Sequence, residues 1–279
     1  MDRRDFITTL GSAIAMTQFG CASAPTTGTR QLKRVGVQLY SLRDDARRDL
    51  ERTLADIAQA GYKDVELLGS MNNFGIPPAT LRQVLDRNGL RAPSTHVSGK
   101  ALDNLPQQLD EAATLGHEYV VVASLPIEGT RTVAEYHRWA DKLNEAGRIA
   151  RQRNVWIGFH NHADDFDAPG AYDALVARTD PNFVRLQLDT GNLAMAGRDP
   201  IEYLKRFGDR YWLFHIKDVP ELRAKNDAEL GKGVIDFRKL LAGIDRIDEK
   251  FLFVEQETYP GAPLDSVRRD FSYISSLRF

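Results

Sequence analysis

The sequence predicts an α/β protein, a single-domain (β/α)8 TIM barrel behind an N-terminal signal segment, and three observations predict it. Short runs rich in β-branched residues alternate with longer stretches of helical period, eight of each, from residue 35 to the C-terminus. The 279 residues, less a leader, leave roughly 250, the usual size of one such barrel. Four of the six histidines and many carboxylates fall at the C-terminal ends of the strand-like runs, where a parallel barrel collects its chemistry.

In chain order, strands are expected at residues 35–41, 64–68, 92–97, 119–124, 155–160, 184–189, 212–217 and 251–257. Their return helices are expected at 45–60, 80–87, 105–115, 132–153, 171–177, 200–207, 237–244 and 264–277. Gly61, Gly89 and Gly116 stand just past the first three helical stretches, where a left-handed cap suits glycine. An open doubly wound sheet would need fewer units, and no Gly-x-Gly-x-x-Gly follows the first strand.

Residues 1–24 read as an export address: Arg3-Arg4-Asp5-Phe6 resembles a twin-arginine motif, and the mildly apolar residues 7–19 are too few to span a bilayer. The expectation is passage through the twin-arginine export machinery to the periplasm. Cys21 follows Gln18-Phe19-Gly20, which matches a lipoprotein box only in the small residue before the cysteine, so a lipid anchor and a cut after Ala22-Ser23-Ala24 both stay open. Residues 25–34 are expected to form a linker, and 35–279 the barrel. Cys21 is the single cysteine, so metal ligands in the barrel must be His, Asp and Glu. Lys plus Arg number 37 against 39 Asp plus Glu, and no basic run interleaves with aromatics, which argues against a nucleic-acid partner. With 42% hydrophobic and 27% charged residues, no transmembrane span is expected in the mature chain. Whether it forms a homo-oligomer is left open.

The rim of the barrel is where the polar residues concentrate. Glu66 lies near the end of the second strand, His96 of the third, His160-Asn161-His162 of the fifth, Asp189 of the sixth, His215 and Lys217 of the seventh, and Glu255 and Glu257 of the eighth. Residues two apart share a face of a strand, so His160 with His162, Gln187 with Asp189, His215 with Lys217, and Glu255 with Glu257 can project together. Buried carboxylates without partners are costly, and a divalent cation with a mixed imidazole and carboxylate shell removes that cost. His117 and His137 fall away from the rim and read as packing or surface residues.

These residues resemble the sugar phosphate isomerase/epimerase family of xylose isomerase-like barrels, in the superfamily of endonuclease IV, from Val35 to the C-terminus. The matching segments include residues 36–43, Gly61-Tyr62-Lys63-Asp64-Val65-Glu66-Leu67, Phe159-His160-Asn161-His162, Leu188-Asp189-Thr190-Gly191-Asn192, His215-Ile216-Lys217-Asp218, residues 230–236 and Phe253-Val254-Glu255. The resemblance implies one divalent ion, Mn foremost with Zn, Co, Fe or Mg as alternatives, on Asp189, His215 and Glu255. The fourth ligand departs from the family pattern, which has Glu on strand five; here either His160 or His162 takes its place. It implies a sugar isomerase or epimerase that takes a proton from the carbon beside a carbonyl. Glu255 is the expected base, Glu66, His96 or His162 the opposite acid or base, and Lys217 the support for the developing oxyanion. Tyr40 and Phe74 are expected to stack on a sugar ring, with Asn161, Asp165, Gln187 and Glu257 binding substrate. The same chemistry would serve a lyase or hydrolase of 3-keto-glycosides, and a non-catalytic periplasmic sugar-binding barrel is the alternative of another class. Export favours an unphosphorylated carbohydrate.

Overall fold

The computed structural model describes residues 29–279, so the signal segment, Cys21 and the first part of the linker lie outside the described residues. Eight parallel strands pair in sequence order and close on themselves: β1 (Gly36–Gln38), β2 (Asp64–Leu67), β3 (Arg91–Ser98), β4 (Tyr119–Ser124), β5 (Trp156–His160), β6 (Val184–Asp189), β7 (Tyr211–Ile216) and β8 (Phe251–Val254). Ten α-helices return the chain among the described residues: α1 (Arg43–Arg48), α2 (Leu50–Ala60), α3 (Pro78–Arg87), α4 (Leu105–Leu115), α5 (Val133–Arg151), α6 (Ala171–Arg178), α7 (Thr190–Met195), α8 (Pro200–Phe207), α9 (Phe237–Ala242) and α10 (Pro263–Ser276).

Alternation along each strand divides the core in two. Val37, Val65, Ile157, Phe159, Leu186 and Leu188 belong to the large cluster shared with the helices, while Tyr119, Val121, Leu213, Phe251 and Phe253 make a small separate one inside the barrel. An eight-stranded barrel has room for side chains and little else. Gly36 shows how tightly it is filled: a Cβ there would come within 2.5 Å of the Phe253 ring. Below this layer the Arg185 guanidinium lies between two indoles, 4.0 Å from the Trp156 centroid and 4.2 Å from that of Trp212, and plugs the barrel floor by cation–π contact. An apolar interior sealed below leaves the upper, C-terminal layer for polar groups.

Strand ends differ from the sequence reading, most at β1 and β8, where residues 39–41 turn into a short 3-10 helix and 255–257 leave the sheet, and two helical segments differ in kind. The stretch expected to be one helix over 45–60 is two, because Asp49 leaves helical geometry (φ −159°, ψ 94°) and caps α2 by accepting from the Arg52 N–H at 3.0 Å. Helix α7 was not expected at all. It follows β6 directly, too short to show a period, and its cap is Asp189, which accepts from the Asn192 N–H at 2.7 Å.

The described part of the linker is tied down: the N–H groups of Arg30 and Phe279 each donate to the other's carbonyl at 3.1 Å. No helix among the described residues is long and apolar enough to cross a membrane.

Candidate metal centre and active site

The pleat delivers Glu66, His96, His160, Gln187, Asp189, His215 and Glu255 to the upper end of the barrel, and all are buried. At the centre lies Glu66, wholly buried. Its Oε1 accepts from Ser94 Oγ at 2.5 Å and Gln187 Nε2 at 2.9 Å; its Oε2 accepts from Gln38 Nε2 at 2.8 Å and His215 Nε2 at 2.5 Å. Burial pushes the Glu66 pKa up, but the imidazoles of His96 and His215 outweigh it and the net shift is downward. The expectation that Glu66 exchanges protons with substrate is corrected here: its oxygens are fully engaged and it lies beneath the imidazoles.

Above Glu66, three rings pack together, His96 on His215 at 5.0 Å and His160 on His215 at 4.6 Å between centroids. Burial, reinforced by neighbouring imidazoles, lowers the pKa of His160 and His96, so both are neutral near pH 7. His215 goes the other way, because Glu255 and Glu66 override its burial and raise it well above the usual range.

Donor atoms from four strands stand in succession, with Asp189, His215 and Glu255 gathered together and His160 next to Asp189. His160 Nε2 is 3.9 Å from Asp189 Oδ2, Asp189 Oδ2 is 3.6 Å from His215 Nδ1, and His215 Nδ1 is 3.0 Å from Glu255 Oε2. Ligand atoms about 2.1 Å from an ion stand roughly 3.0–3.4 Å apart when adjacent and about 4.2 Å when opposite, so the spacing suits one cation. Asp189, His215 and Glu255 have donor atoms within 4.8 Å of one another, as do His96, His160 and His215. The first trio brings two carboxylates and an imidazole, the mixed shell a divalent ion favours, whereas in the second His96 Nε2, His160 Nδ1 and His215 Nε2 are turned to Gln187 or Glu66. The donor set fits a divalent ion held by His160, Asp189, His215 and Glu255. Of the two strand-five histidines, His160 has the geometry of a ligand, while His162 stands at the rim with its ring 4.8 Å from that of His160.

Lys217 is 1% exposed at its side chain, with Nζ 2.7 Å from Glu255 Oε2, 2.6 Å from Glu257 Oε1 and 3.5 Å from Asp189 Oδ2. Its stem reaches this position across Gly191, where a Cβ would stand 2.5 Å from Lys217 Cγ. Burial lowers the Lys217 pKa, but the three carboxylates outweigh it and raise it well above the usual value. Likewise, burial raises the Glu255 pKa, while Lys217 and His215 hold it well below the usual carboxylate range. Both are therefore ionised at neutral pH.

Over this layer opens a cleft of about 570 Å³, lined by His162, Asn192, Met195, Asp227 and Glu257 among others. Glu257 and His162 thus face the space a substrate would fill. Three expected substrate contacts have structural partners, and of them only Asp165 also lines the cleft. Asn161 is buried and joins β5 to β6, its Oδ1 accepting from the Asp189 N–H at 2.9 Å. Asp165 accepts from Tyr136 Oη at 2.5 Å and from the His162 N–H at 2.7 Å, anchoring the loop after β5, and its pKa is raised by burial. Gln187 is wholly buried between Glu66 and the imidazoles. Tyr40, half-buried with the Arg43 guanidinium 4.4 Å over its ring, and Phe74, half-buried at φ 56°, are not among the residues that line this cleft.

Several working residues escaped the sequence reading. Gln38 and Ser94 are inward positions at strand ends, the same alternation signal that exposed Glu66. Asn192 holds Asp189 Oδ2 with its Nδ2 at 2.9 Å. Asp227 accepts from the N–H groups of Glu257 (2.6 Å) and Thr258 (2.8 Å), fixing the strand-eight loop from a distant segment that no local pattern marks. His117, as expected, lies off the site, its Nδ1 donating to the Ala92 carbonyl at 2.6 Å.

The profile of the family described as xylose isomerase-like TIM barrel matches residues 54–277 of this chain. An inosose dehydratase of Lacticaseibacillus casei is 27% identical over 250 residues, covering 75% of this chain and 83% of that one. Among solved structures, a sugar phosphate isomerase/epimerase of Parabacteroides distasonis superposes with a TM-score of 0.75 at 23% identity, covering 86% of this chain and 96% of the other. The zinc-bound IOLI protein superposes with a TM-score of 0.68 at 18% identity, covering 88% and 100%.

Proposed function

The chain belongs to the xylose isomerase-like TIM barrel family, and from that premise we propose that it is a metal-dependent enzyme of keto-sugar chemistry. It takes a proton from the carbon beside a ketone of an unphosphorylated sugar or cyclic polyol and then expels an oxygen substituent from the next carbon. The observation that carries this reading is the convergence of His160, Asp189, His215 and Glu255 at the open end of the barrel, with Lys217 against two of them. When bound there, a divalent ion supplies a Lewis acid that stabilises negative charge on the ketone oxygen. Two imidazoles and two carboxylates suit Mn, Zn, Co or Fe, and the second imidazole shifts the balance toward Zn and Co.

Glu255, ionised by Lys217 and His215, takes the proton from carbon. The electron pair of that C–H bond moves first onto the ketone oxygen, where the Lys217 ammonium helps to hold the charge. It then forms the C=C bond as the neighbouring C–O bond breaks. The leaving oxygen takes a proton from His162, which lines the cleft on the strand-five side. Isomerisation and epimerisation begin with the same proton removal. Elimination is preferred because relatives similar over most of the chain carry the name inosose dehydratase.

Charge supports a substrate without phosphate. Arg131 in the cleft is paired with Asp164 and Asp165, and Glu257 with Lys217, leaving Lys225 as the other lining cation beside the carboxylate of Asp227. A phosphate dianion would find one lining cation, Lys225, beside the carboxylate of Asp227. Export on a twin-arginine leader would likewise bring the enzyme to free sugars.

The test is solvent deuterium exchange into paired phosphorylated and unphosphorylated ketoses, 3-keto-glycosides and cyclitol ketones. Exchange and loss of a substituent are expected only in unphosphorylated members. Exchange confined to phosphorylated ones would overturn the substrate assignment, and tight binding without exchange anywhere would mark a sugar-binding barrel.

A further inference from the structure

We propose that Glu66 and Gln187 are positioning residues that fix the tautomers of both imidazole ligands, so that His160 Nε2 and His215 Nδ1 are the atoms presented to the ion. The inference rests on the metal-centre reading above. It starts from Gln187, whose Nε2 lies 2.9 and 3.1 Å from the two oxygens of Glu66. A carboxylate only accepts, so the amide nitrogen must face it, and the amide oxygen faces the other way. There it meets His96 Nε2 at 2.7 Å and His160 Nδ1 at 3.1 Å. An amide oxygen also only accepts, so both of those ring nitrogens carry hydrogen. A neutral imidazole carries one, which leaves His160 Nε2 with a lone pair on the side of Asp189.

Glu66 treats His215 the same way without an intermediary. Its Oε2 takes the hydrogen of His215 Nε2 at 2.5 Å; the opposite nitrogen, Nδ1, points a hydrogen at Glu255 Oε2 at 3.0 Å in the metal-free ring, and with Nε2 held by Glu66 that is the hydrogen a bound ion would displace. One carboxylate therefore orients two ligands from different strands, one directly and one through an amide. Gln38 and Ser94 occupy its other lone pairs, and His96 Nε2 stands farther from Oε2, at 3.2 Å, than His215 Nε2 does. Glu66, Gln187 and His215 are 0% exposed and His160 is 2% exposed, so water is kept from offering either ring another tautomer.

The departure on strand five gives this arrangement its purpose. A carboxylate ligand has no tautomer to choose, whereas an imidazole has two and only one of them leaves the right nitrogen bare. Outer partners of ligating histidines typically contribute about 10–100-fold in metal affinity.

Zinc titration of the full chain against a competing chelator, without substrate, tests this. Gln187→Met is expected to weaken zinc binding about 10–100-fold. In a His160→Glu background the same change is expected to cost less than about 3-fold, since no tautomer remains to be fixed. Equal losses in both backgrounds would reduce Gln187 to packing and overturn the proposal, as would no loss in either. If wild type binds no zinc, the metal-centre reading fails and the inference with it; if wild type binds and Gln187→Met is unaffected, only the inference fails. Should Gln187→Met not fold, long-range ¹H–¹⁵N correlation of the zinc-loaded wild type decides: hydrogen on His160 Nδ1 with zinc on Nε2 supports the proposal, and the reverse overturns it.

Discussion

Replacing Glu255 with Gln is expected to lower turnover and deuterium exchange by about 1,000-fold or more, with the fold intact. Gln keeps the length and the planar end of the side chain, so the loss reports charge and proton acceptance. Two effects combine. The variant has no carboxylate to take the proton from carbon, and the ion loses one of its two anionic donors. His215 Nδ1 and Lys217 Nζ both lean on Glu255 Oε2, at 3.0 and 2.7 Å, and Gln offers each of them only a neutral acceptor. Steady-state turnover and exchange, measured with saturating metal, separate the two contributions. Retention of more than about a tenth of wild-type exchange would remove Glu255 as the base, since a positioned base contributes about 100- to 10,000-fold. The next carboxylate in the cleft is then Glu257, which Lys217 holds at 2.6 Å.

The second large effect is on stability. In metal-free protein the Lys217 ammonium, together with His215, compensates Asp189 and Glu255, which are 0% and 7% exposed at their side chains. Lys217→Met keeps the apolar stem over Gly191 and removes the charge. Breaking a buried pair by deleting one partner costs about 3–5 kcal/mol, because the other charge stays behind unpaired. For a chain of this size that is a fall in Tm of about 10 °C in the presence of chelator. An added divalent ion neutralises the same carboxylates and binds only the folded state, so it should restore most of the loss. Thermal melts of wild type and Lys217→Met, each with chelator and with excess Mn or Zn, make the comparison. The metal-induced rise should be larger in the variant; equal melting temperatures in chelator would show that Lys217 does not hold these carboxylates together.

How much of this was legible in the sequence follows from what each signal depends on. All eight strands were, because a buried parallel strand is a local apolar run and its period of two survives burial. β4 and β6 stand at the expected bounds, and the others differ by a few residues at their ends. The break at Asp49 and helix α7 were not, since a six-residue helix has under two turns in which to show a period.

For the site, strand position and alternation identified which residues reach the rim, including Asp189, His215, Glu255 and Lys217. They did not say at what height each residue stops, or which way it faces. Glu66 has both oxygens taken up by buried donors, Asn161 turns its polar atoms to backbone, and Asp165, although it lines the cleft, is held by Tyr136, Arg131 and the His162 N–H. The choice between His160 and His162 also needed three dimensions, because both sit on one face of the strand and only depth distinguishes them. Lys217 shows the same limit: its neighbour in sequence, Asp218, accepts from the N–H groups of Gly231 and Gly233 at 3.0 Å each. The partner carboxylates of Lys217 come from strands six and eight.

The central claim is that one divalent ion is bound where strands five to eight converge. Anomalous diffraction from crystals of the cobalt-loaded protein tests it most directly. The account predicts a single peak per chain within bonding distance of His160 Nε2, Asp189 Oδ2, His215 Nδ1 and Glu255 Oε2. A peak on His162 in place of His160, a peak elsewhere, or none at all with Lys217 still seated between Asp189 and Glu255 would contradict it.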